Sequence, residues 1–140
     1  MLEIITEAAS ALQAETSTYP EAVQIWMRLM GLSFLCSIFF VYTKPGARWI
    51  LLALLLNLLG LLVGKITFPE QSRTAIGTCV HLLFWPPLLW AVWRPAPRRA
   101  LFNQLRGYFD RIYFVWLCWA SLLMSVSLIL DARTLVMMLS

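Results

Sequence analysis

"WILLALLLNLLGLLVGKI", residues 49 to 66, carries a single polar side chain, Asn57, before Lys65 closes it. A helix so apolar all round needs an apolar environment on every face. Its length is close to the ~20 residues that cross ~30 Å of hydrocarbon at ~1.5 Å per residue. Three more runs of this kind flank it: "AVQIWMRLMGLSFLCSIFFVY" at 22 to 42, "TAIGTCVHLLFWPPLLWAVW" at 74 to 93 and "IYFVWLCWASLLMSVSLIL" at 112 to 130. The expected fold is all-α: an integral membrane four-helix bundle, one membrane domain over residues 1 to 140.

Composition agrees. The chain is 61% hydrophobic and 13% charged, with a mean hydropathy of +0.76; ordinary soluble domains run at roughly 45–50% and about 25%. A soluble core of this size cannot hide so much Leu, Trp and Phe, so the apolar surface must face lipid or a partner. The net charge of +4 does not point to nucleic acid, because the arginines are scattered between apolar runs with no soluble basic domain to carry them.

The basic residues orient the spans. Lys44 and Arg48 follow the first run, and Arg94, Arg98, Arg99, Arg106 and Arg111 follow the third. Positive charge in short connections marks the cytoplasmic side, which puts both termini outside and the chain, multi-pass, in the inner (cytoplasmic) membrane. Residues 1 to 17 hold Glu3, Glu7 and Glu15 and no Lys or Arg, unlike a cleaved signal peptide, and are expected to stay as an outer amphipathic segment. Between spans three and four, residues 98 to 111 gather Leu101, Phe102, Leu105, Tyr108 and Phe109 on one arc, describing a cytoplasmic interfacial amphipathic helix. Its Arg98, Arg99, Arg106 and Arg111 are expected to meet anionic phospholipid of the inner leaflet, or simply to be solvated.

"TYPE" at 18 to 21 returns as "TFPE" at 67 to 70. Thr followed three residues later by Glu reads as a capping box, and Pro fits a helix start, so Thr18 and Thr67 are the expected N-caps of spans one and three. The matching offset leaves open a duplication or two separate solutions to one capping problem.

Small residues suggest where helices meet. Gly60 and Gly64 form a GxxxG spacing with Asn57 on the same face, and Ser33 with Ser37 and Ser121 with Ser125 make similar stripes. Pro86 and Pro87 interrupt span three; a kink near Trp85 is expected.

Arg28 lies seven residues inside Glu21, roughly 10 Å along a helix, His81 lies eleven inside Glu70, and Lys65 ends span two on the same side. These residues and Arg73, with Glu21, Glu70 and Asp131 as counter-charges, form a candidate outward-opening layer for a ligand or partner; snorkelling of Arg28 and Lys65 is the plain alternative. Catalytic and metal sites lack their residues. One His, no HExxH, no CxxC and no phosphate-binding glycine loop leave no ligand set, and the three cysteines sit inside apolar runs. No enzyme, cofactor or metal is expected. The leading expectation is a non-catalytic accessory or assembly subunit of a larger membrane complex, partnered by other membrane subunits or copies of itself. The alternative is a homo-oligomeric channel or transporter with a basic outward-facing site, and a more remote one is a His81-ligated haem or pigment protein, which needs a second axial ligand.

Overall fold

The computed structural model describes residues 2 to 94 and 107 to 139, which form five α-helices and no strand. They are α1 (Leu2–Ser17), α2 (Glu21–Leu35), α3 (Pro45–Thr67), α4 (Arg73–Trp93) and α5 (Tyr108–Leu139), and a 3-10 turn at Cys36–Phe39 prolongs α2. Four segments are long and apolar enough to cross a membrane: Glu21–Phe39, Pro45–Thr67, Arg73–Trp93 and Tyr108–Met138.

The boundaries differ from the sequence expectation where local chemistry allows. α3 begins four residues earlier because Pro45 fits the first helical position after an extended Lys44. α5 runs on past residue 130 through Asp131 and Arg133, since no Gly or Pro interrupts it. α4 continues through Pro86 and Pro87, which are exposed. The interfacial helix expected over residues 98 to 111 falls outside the described residues up to 106, taking Arg98, Arg99 and Arg106 with it; Arg111 lies in the second turn of α5, exposed.

The two threonines do not cap. The Thr18 hydroxyl donates to the Glu15 carbonyl at 2.7 Å, and α2 starts behind Pro20 with no side-chain cap. Thr67 is the last residue of α3, its hydroxyl turned back to the Val63 carbonyl at 2.8 Å. Ser72 caps α4 instead, accepting from the Ala75 N–H at 3.2 Å. The reason is a shift of the helix end: α3 extends through Thr67, so the next residue free to leave helical geometry beside α4 is Ser72.

The bundle core forms where α2, α3, α4 and α5 converge. Phe34, Ile50, Trp85, Leu117 and Met124 are almost wholly buried there, with Ala47, Ala53 and Ala120 allowing close approach. α3 and α4 pack tightest. A Cβ on Gly60 would stand 2.8 Å from Val80, and one on Gly64 would overlap Ile76, so the GxxxG face is a real contact. At one end of the bundle Phe40 packs among Phe109, Tyr113 and Trp116, with centroids 5.1 to 5.3 Å away, pinning the end of α2 to the start of α5. This end also holds Lys44, Arg48, Arg94 and Arg111, and is called the basic end below.

Candidate functional site

Three polar arrangements join the helices, and Arg28 belongs to none of them. The first is centred on His81, two turns into α4. Its Nδ1 is 2.7 Å from the Asp131 carboxylate of α5, and its Nε2 is 3.2 Å from the Asn57 amide of α3. The Thr78 hydroxyl donates to Asp131 at 3.2 Å, and the Ser127 hydroxyl lies 3.4 Å from the same carboxylate. The imidazole stacks on Trp85 with ring centroids 3.9 Å apart. One His thus ties three helices together.

Chemically, this cluster is self-contained. An ionised carboxylate accepts only, so Nδ1–H donates to Asp131. Asn57 serves either state of Nε2: its carbonyl oxygen accepts from an N–H, and its amide, turned over, donates to a bare nitrogen. His81 keeps both partners whichever way its second nitrogen is protonated.

The second arrangement closes the opposite end from the basic one. Glu15 of α1 accepts from the Lys65 ammonium at 2.5 Å and from the Arg73 backbone N–H at 2.6 Å. Lys65 also donates to the Pro69 and Gln71 carbonyls at 2.9 and 3.1 Å, so it shapes the α3–α4 connection. A carboxylate on the first free N–H of α4 meets the positive end of that helix. The Lys65 hydrogen bond, followed by that from Arg73, holds the Glu15 carboxyl below the usual carboxylate range. Leu12 of α1 packs on the Leu61, Ile76 and Val80 cluster, so residues 2 to 17 lie docked against α3 and α4.

The third arrangement is at the basic end. Lys44, 8% exposed, pairs with Asp110 at the start of α5 and sits 5.6 Å over the Tyr113 ring. Asp110 also accepts from the Gly107 N–H.

Of the expected layer, the structure brings together only parts. His81 joins Asp131 and Asn57, while Lys65 and Arg73 meet at Glu15, which sequence reasoning had not paired with them. Arg28 does not join His81. Successive residues turn by about 100° along a helix, which puts Arg28 on the α2 face that carries Ile25, Leu32 and Leu35, all exposed, whereas Met30, Ser33 and Phe34 face the core. Among the described residues Arg28 has no ion pair and no hydrogen bond; Glu21 and Glu70 are exposed and likewise have no ion pair.

The serines act as acceptors for tryptophans. The Trp93 indole donates to Ser121 at 2.9 Å, Trp116 to the Ser33 carbonyl at 2.8 Å and Trp119 to the Ser33 hydroxyl at 3.1 Å. Ser125 bonds back to Ser121 within its own helix. Among the described residues Ser37, fully buried, has no partner for its hydroxyl, and neither does the Trp85 indole N–H.

Sequence reasoning missed Glu15, Lys44, Asp110, Thr78 and Ser127. Asp110 and Lys44 had a signal: each is a charge within three residues of an apolar run on the side where all other charges are arginine. Comparison with protein-family models, with curated proteins and with solved structures found no match to this chain.

Proposed function

We propose that this chain is a non-catalytic accessory or assembly subunit of a larger membrane complex, and that α2 is the face it presents. Arg28 carries the reading. It lies about 10 Å inside the start of α2, exposed among Ile25, Leu32 and Leu35. In a bilayer an arginine at the centre of a span costs about 2.5–3.5 kcal/mol and somewhat less toward the end, so it needs a counter-charge. None of the seven acidic residues supplies one: Asp131, Asp110 and Glu15 are engaged, Glu21 and Glu70 stand at helix ends, and Glu3 and Glu7 belong to α1. A second copy would have to bring one of its exposed carboxylates, Glu3, Glu7, Glu21 or Glu70, from beyond the spans or from their very ends to the depth of Arg28. A carboxylate at that depth on a different protein meets Arg28 without such a displacement, which favours a hetero-complex over a homo-oligomeric channel.

The seat of the protein in this proposal is the inner membrane with the basic end in the cytoplasm. Supporting it, seven of the eleven Lys and Arg residues (Lys44, Arg48, Arg94, Arg98, Arg99, Arg106 and Arg111) fall in the two connections at that end, against one acid, Asp110.

The test is purification from native membranes through a terminal tag, with a photo-crosslinking residue at position 32 or, as control, at the exposed position 59 of α3. The expected result is one second subunit at fixed stoichiometry, crosslinked from 32 and not 59, and released by Arg28→Leu but retained by Arg28→Lys. A chain that runs alone, or a stoichiometry indifferent to Arg28→Leu, overturns the reading and leaves Arg28 a snorkelling side chain.

A further inference from the structure

A groove of about 450 Å³ opens on one face of α5, lined by Arg111, Ile112, Val115, Trp116 and Trp119. Its floor is carbon. The Trp116 and Trp119 indole N–H groups are already donated to Ser33 of α2, so both rings are fixed in orientation and present no free donor. Ile112, Val115 and Trp119 are exposed. From Arg111 to Trp119 the groove follows two turns of helix, about 12 Å along the axis.

Only the mouth is polar. Arg111 is exposed, and its side chain makes no ion pair and no hydrogen bond among the described residues. The neighbouring carboxylate, Asp110, is engaged by Lys44 and by the Gly107 N–H, so it leaves the guanidinium charge unmatched. The first turn of α5 adds the positive end of its dipole at the same level. An unmatched cation at the rim and an open apolar trough running away from it along α5 call for an amphiphile with an anionic head and a hydrocarbon tail.

We propose that this groove is a binding site for one anionic glycerophospholipid, its phosphate on Arg111 and one acyl chain along Ile112, Val115, Trp116 and Trp119. The proposal rests on the membrane placement above, with the basic end in the leaflet that supplies the head group. It does not rest on Arg28, which belongs to a different face of α2 from Ser33. A planar guanidinium bonds a phosphate through two N–H groups, and lipid surrounds it at no cost in ordering a protein partner.

Native mass spectrometry of the full chain in detergent, with phosphatidylglycerol and phosphatidylcholine added at equal concentration, tests the site. The expected result is one retained phosphatidylglycerol, preferred about 5-fold, the factor that one basic side chain at an anionic surface supports. Arg111→Gln removes the preference, and the same change at exposed Arg94 keeps it. Val115→Trp fills the trough and lowers retention of both lipids, and glycerol phosphate without a chain does not compete. A preference that survives Arg111→Gln, or that falls equally with Arg94→Gln, overturns the site in favour of a diffuse basic surface. Arg28→Leu leaves the lipid result unchanged, so the outcome is separate from that of the assembly experiment.

Discussion

The imidazole of His81 meets the carboxylate of Asp131 at 2.7 Å across 50 residues of sequence, and the two are only 12% and 17% exposed. Removing one member strands the other. Asp131→Ala is expected to destabilise the bundle by about 1–3 kcal/mol, the range for a buried polar group left without its partner. Against His81→Ala, a double-mutant cycle should give a coupling on the order of 1 kcal/mol, as polar pairs between membrane helices do. The measurement is reversible unfolding in mixed micelles, with exposed Arg133→Ala as a control that stays within about 0.5 kcal/mol. Additive single effects would show that the pair is proximity without coupling.

Acid is expected to loosen α1. The Glu15 carboxyl is held below its ordinary range by Lys65 and then by the Arg73 N–H. A carboxylate depressed in the folded state lends stability that is complete above its unfolded pKa and is lost as pH falls through the folded one. Limited proteolysis between α1 and α2 should therefore accelerate below the usual carboxylate range, and Glu15→Gln should flatten that dependence while raising cleavage at neutral pH. Cleavage that ignores both changes would mean that Leu12 and its apolar neighbours hold α1 alone.

At the α3–α4 seam, Gly64→Val and Gly60→Val drive a side chain into Ile76 and Val80. Overpacking of this kind costs about 1–3 kcal/mol. Gly31 has open space around a would-be Cβ, so Gly31→Ala should instead gain about 0.4–1 kcal/mol through the unfolded chain. Thermal melts in detergent that rank the three substitutions otherwise would refute the close contact.

Ser37→Ala is expected to stabilise. The hydroxyl is fully buried with no partner among the described residues, and replacing it removes an unmet hydrogen-bonding group at the cost of one atom of packing. An upward shift of the melting temperature is the readout; a downward one would mean that a bridging water sits there.

For the orientation, a cysteine-free chain with Gln71→Cys should react with an impermeant maleimide in intact cells, and one with Arg94→Cys only after the membrane is opened. Both positions are exposed at opposite ends of the bundle. The reverse pattern would invert the proposed topology.

The four long helices were legible because an apolar run of this length has one structural use, and Asn57, Gly60 and Gly64 were legible because they stand out in such a run. The polar contacts were legible only in part: Asp131 was expected among the counter-charges of the layer that holds His81, while most other partners were not. Arg28 and His81 stand seven and eight residues into α2 and α4, but depth says nothing of rotation, and α2 turns Arg28 away from the core that α4 turns His81 toward. Lys65 illustrates the same limit: it was expected beside His81, yet its partner is Glu15 of a helix whose docking no local pattern announces. The Thr caps failed for a nearer reason, since both α1 and α3 run up to their Thr and the hydroxyls turn back into those helices.

Two of the carboxylates that join helices, Asp110 and Asp131, belong to α5, and their partners Lys44 and His81 are both made earlier. During synthesis the first three of the long apolar helices, α2 to α4, are therefore complete while Lys44 and His81 still lack these partners. The arrival of α5 brings both partners at once, Asp110 in its first turn and Asp131 two turns before its end. A nascent chain halted before residue 108 is expected to be a substrate for membrane proteolysis, and release of the last helix from the translocon is the step at which the protein becomes safe from it.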